Sequence, residues 1–374
     1  MFFMIFVNDV DGVTNIPTWI KHAHADEDAL GFADTIFPLF LFIVGLSIPL
    51  AFNKRMKSGE KKLNIAVHIL LRSLALIVMG VFHVNLENYS DTAFLPKAVF
   101  EIIITLAFFL IWLDYKNISA TKENLLKATG IIMLIAMAFL YKGEMNNAIV
   151  GMRTQWWGIL GLIGWGYLTC SLIYLFFNGD FYAMIIALIF LLFFNIITHL
   201  PGNFFQPIQS IPLFVGHGAM AGLIMAGVVT SLVYSRTKQS SSNRFFSTFI
   251  ILSAVFIVFG FLTRPIAGIS KIHDTPAWVG ICTGIGIAVF AFLIYLTDIK
   301  GKGTWFEIIK PAGTSTLTCY LLPYLLYSLF LLINFNYPYF LSQGIGGIIR
   351  SFAVAFVVIF ITGLLEKKHL RLKI

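Results

Sequence analysis

Apolar residues run through this chain in blocks of roughly 16 to 23 residues, separated by short polar turns. Eleven blocks stand out, near 35–52, 65–84, 98–113, 125–141, 156–177, 181–198, 214–235, 247–263, 277–297, 311–333 and 346–365. Crossing the hydrocarbon layer of a bilayer takes roughly 17–25 apolar residues as a helix. The pattern predicts an all-α, polytopic integral membrane helical bundle with about 11 full transmembrane helices. It forms a single domain over residues 1–374, with no internal repeat and no block-free stretch long enough for a soluble domain. The stretch Met1–Val7 is also apolar but reaches only about 10 Å as a helix, too little to cross. It is expected to be a short, truncated N-terminal helix. A β-barrel would alternate apolar and polar positions at short period, and these blocks do not.

Composition agrees. The chain is 58% hydrophobic and only 12% charged, where a soluble domain carries about a quarter charged residues. The net charge of +8 points to topology rather than to a nucleic-acid partner. Alternate loops, with the C-terminal EKKHLRLKI, hold 17 Lys and Arg residues, against 6 in the other set. Basic loops stay in the cytoplasm. The C-terminus is therefore expected inside and residues 9–34 outside a cell (inner) membrane. Cys170, Cys282 and Cys319 each lie within an apolar block, as packing residues do. The glycine sets GILGLIGWG (158–166) and GICTGIG (280–286) are suited to close helix packing.

Histidine is the side chain that exchanges protons near neutral pH, and six of the eight fall at the outer face: His22, His24, His83, His199, His217 and His273. His22 and His24 stand beside Asp26, Glu27 and Asp28. A metal site there would need a third ligand at telling spacing, and none follows; no metal is expected. The other readings are a general base or acyl carrier, and a solvated acidic loop. Asp34 opens an apolar helix, where a carboxylate must cap or pair; it can satisfy free N–H groups, hold a histidine tautomer, or both. Arg72 lies inside a block and cannot shed its charge, so it needs a wet cavity, an anionic ligand or a partner. His68 is one turn earlier on the same face. Asn8 and Asp9 end the first short helix, and Arg264, Lys271, His273 and Asp274 crowd the segment TRPIAGISKIHDTP.

The segments MIFVND, WIKHA, FADTIFPLFLFIVGLSI and LLRSLALIVMG resemble the heparan-alpha-glucosaminide N-acetyltransferase family and its bacterial relatives. GHGAMAGLIMAG, KIHDTPAW and PAGTSTLTCYLLPYL resemble the bacterial branch. The motifs match over residues 4–80, and helix number and order over the whole chain. Members belong to a wider group of transmembrane acyltransferases. They take an acyl group from cytosolic coenzyme A and deliver it to an amino sugar across the membrane. The resemblance implies an essential histidine in the loop before the DTIFP helix. Spacing to Asp34 selects His24, while the WIKHA pattern selects His22. Asn8, Asp34 and Arg72 match family positions. Two departures stand out. The basic stretch that precedes MIFVN in the family is missing, and no tryptophan follows the His-Ala pair; the second bears on the glucosamine acceptor rather than on the reaction class.

The resulting expectation is a multi-pass acyltransferase in the lipid bilayer, with acetyl-CoA as co-substrate and an extracytoplasmic glycan or amine acceptor. A second copy of the chain is a candidate partner, as a homodimer. His22, His24 and Asp34 are the candidate catalytic residues. Asn8, Asp9, Arg72, His68 and His273 are the candidate substrate-binding residues. The alternatives are a transporter or translocator without covalent chemistry, and an inactive scaffold of the same fold.

Overall fold

The computed structural model describes residues 1–116, 118–201, 206–209, 211–238 and 242–374, and not the side chains of 206, 209 and 242. Among them are twelve helices of nine or more residues: α1 (Phe2–Val10), α2 (Phe32–Lys57), α3 (Lys62–Val84), α4 (Lys97–Trp112), α5 (Ala120–Leu140), α6 (Gly158–Phe176), α7 (Phe181–Ile197), α8 (Ala219–Thr237), α9 (Ser242–Ala267), α10 (Pro276–Ile294), α11 (Thr316–Leu332) and α12 (Gly344–Lys367). Each of the eleven predicted blocks coincides with one of α2–α12. Eight of these are long and apolar enough to cross a membrane, so this is a multi-pass helical membrane protein. The count of eleven spans is not reproduced. α4, α7 and α11 have 16, 17 and 17 residues, about 24–26 Å at the rise of a helix, against a hydrocarbon layer of roughly 30 Å. One element departs from the all-α expectation: strands β1 (Gly143–Met145) and β2 (Ala148–Val150) pair antiparallel. Asn146 and Asn147, both at positive φ, form the two-residue turn between them.

The chain divides into two compact units. The first comprises residues 1–16, 78–160 and 305–374. In it the Phe2 and Phe6 rings of α1 pack on Phe352 and Phe356 of α12. Beneath them, Asp9 Oδ1 accepts from Arg350 Nη2 (2.8 Å) and Ser351 Oγ (2.6 Å), and Oδ2 accepts from Tyr327 Oη (2.6 Å). The C-terminal tail is pinned as well: Lys373 N–H donates to Trp112 O, and Arg371 pairs with Asp114.

The second unit comprises residues 17–77 and 161–304. Lipid offers no hydrophobic drive between helices, so close backbone contact must supply the cohesion. α2 and α8 meet at Gly45 and Gly227. A Cβ on either would overlap a backbone carbonyl of the other helix, Ile224 O or Phe42 O. α9 and α10 approach likewise through Gly260 and Gly280, and Ser253 Oγ donates to Gly284 O. Large apolar side chains such as Ile186, Phe190, Ile250 and Leu262 are left exposed, as lipid-facing positions are.

α2 carries Pro38 in its second turn. Proline has no N–H, so the carbonyl four residues earlier, that of Asp34, loses its helical donor. An unpaired carbonyl is costly in the absence of water. Trp278, fully buried on α10, fills the gap, with its Nε1 donating to Asp34 O at 3.0 Å. Replacing Gly227 with Leu is expected to destabilise the detergent-solubilised protein by on the order of 1–3 kcal/mol. Thermal denaturation is the measurement, and Gly303→Leu, which meets open space, is the neutral control.

Candidate active site

The segment 17–31 makes one short turn at Thr18–Ile20 and then an extended run to the start of α2. Asp34 is the third residue of that helix. Its Oδ2 accepts from the backbone N–H groups of Gly31 (3.0 Å) and Ala23 (2.9 Å). This caps α2 and folds the preceding segment back over it. Its Oδ1 lies 2.6 Å from His22 Nδ1. A carboxylate can only accept, so Nδ1 carries the hydrogen and Nε2 is left with its lone pair. Nε2 has no hydrogen-bond partner among the described residues. The Asp34 side chain is 3% exposed and that of His22 34%: the orienting group is sealed in and the ring it orients is accessible. The Asp34 capping role and its role as holder of a histidine therefore occur together.

A second segment, 268–275, borders the first. Lys271 Nζ is 3.3 Å from His22 Nδ1. Both atoms carry hydrogens, so this is an electrostatic approach to the dyad rather than a donation. Asp28 Oδ1 accepts from Ile269 N–H (2.7 Å) and Oδ2 from Arg264 Nε (2.8 Å). The Ile269 N–H and then Arg264 hold its carboxyl below the usual carboxylate range. His273 Nε2 lies 3.1 Å from Ala25 O. Asp28 and His273 thus join the two segments. Of the acids next to the histidines, Asp28 has a clear structural task, while Asp26 is exposed and Glu27 accepts from His24 N–H.

The remaining candidates fall elsewhere. His24 is exposed, and among the described residues its ring has no partner. Arg72, exposed on α3, has its guanidinium over the Tyr167 ring at 5.0 Å, with no carboxylate partner among the described residues; His68 lies within its electrostatic range. Asn8 is exposed. Asp9 is consumed by Arg350, Ser351 and Tyr327 within the first unit. Among the described residues no group of three or more His, Cys, Asp and Glu is placed to hold a metal ion.

Sequence reasoning passed over Trp278 and Asn195, and it noted Lys271 only as one of the residues crowding its loop. Asn195 is a lone amide in the apolar run FLLFFNII and is buried; its Nδ2 donates to the carbonyls of His217 (3.2 Å) and Asp274 (3.0 Å). A polar side chain so placed is a signal in itself. Trp278 gave none, because its task arises only from Pro38.

The fold and dyad define a multi-pass membrane protein with a histidine held by a buried carboxylate. Residues 5–203, more than half the chain, match the family described as Domain of unknown function (DUF5009), and the chain belongs to that family. The match takes in His22, Asp34 and Arg72. The chain is also similar to heparan-alpha-glucosaminide N-acetyltransferase of Mus musculus, 37% identical over 86 residues. The aligned stretch is 23% of this chain and 12% of the mouse protein.

Breaking one side of a buried ion pair costs about 3–5 kcal/mol. Asp9→Ala is accordingly expected to lower stability by that order, and Asn8→Ala to leave it unchanged within about 0.5 kcal/mol. Chemical or thermal denaturation of the two variants checks this.

Proposed function

We propose that this protein is a membrane-embedded acyltransferase that moves an acetyl group from coenzyme A to an amine or hydroxyl, such as that of an amino sugar or glycan. The observation that carries the reading is the His22–Asp34 dyad, with Nδ1 engaged, Nε2 without a hydrogen-bond partner among the described residues, and the ring partly exposed. The distant similarity to an N-acetyltransferase supports it.

In the proposed reaction His22 Nε2 takes the proton from the attacking nitrogen or oxygen as that atom bonds to the thioester carbonyl carbon. Asp34 keeps the ring in the required tautomer and stabilises the imidazolium. The C–S bond breaks, and the leaving thiolate takes the proton back from Nε2. The products are the acetylated acceptor and the free thiol. Arg72 is the proposed contact for a phosphate of coenzyme A: its charge is uncompensated by any acid among the described residues, and guanidinium suits phosphate geometry. In this reading the coenzyme A side and the C-terminus are cytoplasmic, the acceptor is on the far face of a cell (inner) membrane, and the helices α4, α7 and α11 complete a bundle of eleven spans.

The test is acetyl transfer by the purified protein from radiolabelled acetyl-CoA to a panel of amino sugars. His22→Ala is expected to lower turnover by about 100-fold or more. Asp34→Asn should do so by a comparable factor, since it loses the tautomer control, whereas His24→Ala should stay near wild type. Full activity in His22→Ala would remove the reading. So would movement of the amino sugars into liposomes with no acetylation.

A further inference from the structure

Beside the dyad lies a second group of titratable side chains that the proposed chemistry does not use. The segment 215–218 enters α8 with three successive left-handed residues, Gly216 (φ 65°), His217 (φ 52°) and Gly218 (φ 83°), and Asp274 is left-handed as well (φ 54°). Gly216 and Gly218 adopt this conformation without strain, but at His217 and Asp274, which carry a Cβ, it persists only where the surroundings impose it. Here the imposing group is Asn195, whose buried amide donates to the carbonyls of both His217 and Asp274. The Asp274 carboxyl lies against Gly216, where a Cβ would stand 3.0 Å from Asp274 Oδ2. No donor among the described residues reaches that carboxyl. Lys271 shares its turn, its backbone carbonyl accepting from Asp274 N–H (3.3 Å); it is the charged group acting on that carboxyl, and its Nζ is 3.3 Å from His22 Nδ1.

We propose that Asp274 is a positioning residue for the dyad: through Lys271 it sets the positive charge against which His22 accepts a proton. The proposal rests on the acyltransferase reading only for its catalytic consequence; the coupling itself is a property of the chain. An imidazolium forming at His22 is opposed by the ammonium at its Nδ1 edge. A carboxylate at Asp274 offsets that ammonium, and a neutral carboxyl does not. Burial pushes the Asp274 carboxyl up to about 7, with Lys271 pulling the other way, so the offset changes within the physiological range. His199 has its ring nitrogens at the carbonyls of Asn195 (2.7 Å) and His273 (2.8 Å). His217 is pushed down by burial and then by His199 and His273. His273 is tied to Ala25 O, and Asp28 is spent on Arg264 and Ile269. None of these stands at His22 Nδ1 as Lys271 does.

Three measurements test this on the full-length purified protein. The first needs no activity. In a His24→Ala background, diethyl pyrocarbonate labels His22 only when its ring is unprotonated, and peptide mass spectrometry follows labelling across pH 5.5–8.5. Asp274→Asn is expected to move the midpoint to lower pH, and Lys271→Met to higher pH, each by about half a unit or more, a threefold change in the proton equilibrium. The double variant should return toward the parent. Midpoints that coincide in all four proteins would overturn the coupling. The second is turnover. Asp274→Asn should lower kcat by about tenfold with little change in KM, and should lose a limb of the pH profile near 7 that Asp274→Glu restores; an unaltered profile would overturn the catalytic part. The third is stability. A carboxyl raised by burial costs the folded state increasingly from about pH 4, where the unfolded chain ionises, to about 7. Asp274→Asn should therefore be more heat-stable than wild type at pH 8, with no such gain at pH 4; a loss of stability at pH 8 would indicate a purely structural carboxylate and count against the proposal. A wild-type protein without acetyl transfer would remove the acyltransferase reading, while the labelling would still decide the coupling.

Discussion

Asp34 accepts hydrogen bonds on all of its oxygens, and the second unit is organised around them. Its carboxylate takes two backbone N–H groups, which start α2 and turn the preceding segment, and then the His22 ring. Its carbonyl, released by Pro38, takes the indole of Trp278 and so fastens α10 to the beginning of α2. The constraint behind this is the membrane. Where water is absent, each polar backbone atom must find a partner within the protein, and a proline in the second turn of a spanning helix dictates that a donor come from elsewhere. The residue that orients the histidine is thereby held from three sides before any substrate is considered.

The neighbourhood of His22 follows from that anchoring. Asp28 and His273 join the 17–31 and 268–275 segments by contacts that involve no reacting group. Lys271 is thereby delivered to the Nδ1 edge of the ring, which stays partly exposed. The arrangement separates the parts: the buried Asp34 carboxylate fixes tautomer and orientation, a cation stands at the Nδ1 edge, and the ring is partly exposed. Such a division suits proton transfer, which requires a rigid base with a single available lone pair.

Particular residues show how far a reading of the sequence could go. Asp34 was legible because a carboxylate at the edge of an apolar run must have a reason. His22 and His24 were not separable: two residues apart, they share composition and neighbours, and only the fold shows that His22 meets Asp34 while His24 faces solvent. Asp9 and Arg350 lie more than three hundred residues apart, so their pairing was beyond any local pattern. Asp28 looked like one member of a solvated acidic run, and its two partners come from a segment some 240 residues away.

What the sequence alone determined is the solvent and the elements. Long apolar blocks must fold as helices because lipid admits no unpaired backbone; every block is a helix, and eight of them are long and apolar enough to cross a membrane. What only the tertiary structure decided is partnership: which histidine receives the carboxylate, which indole replaces a missing amide, and which lysine stands at the ring. These are contacts between groups distant along the chain. Periodicity does not settle them, because a hydrophobic period states which face is apolar and leaves open what that face meets.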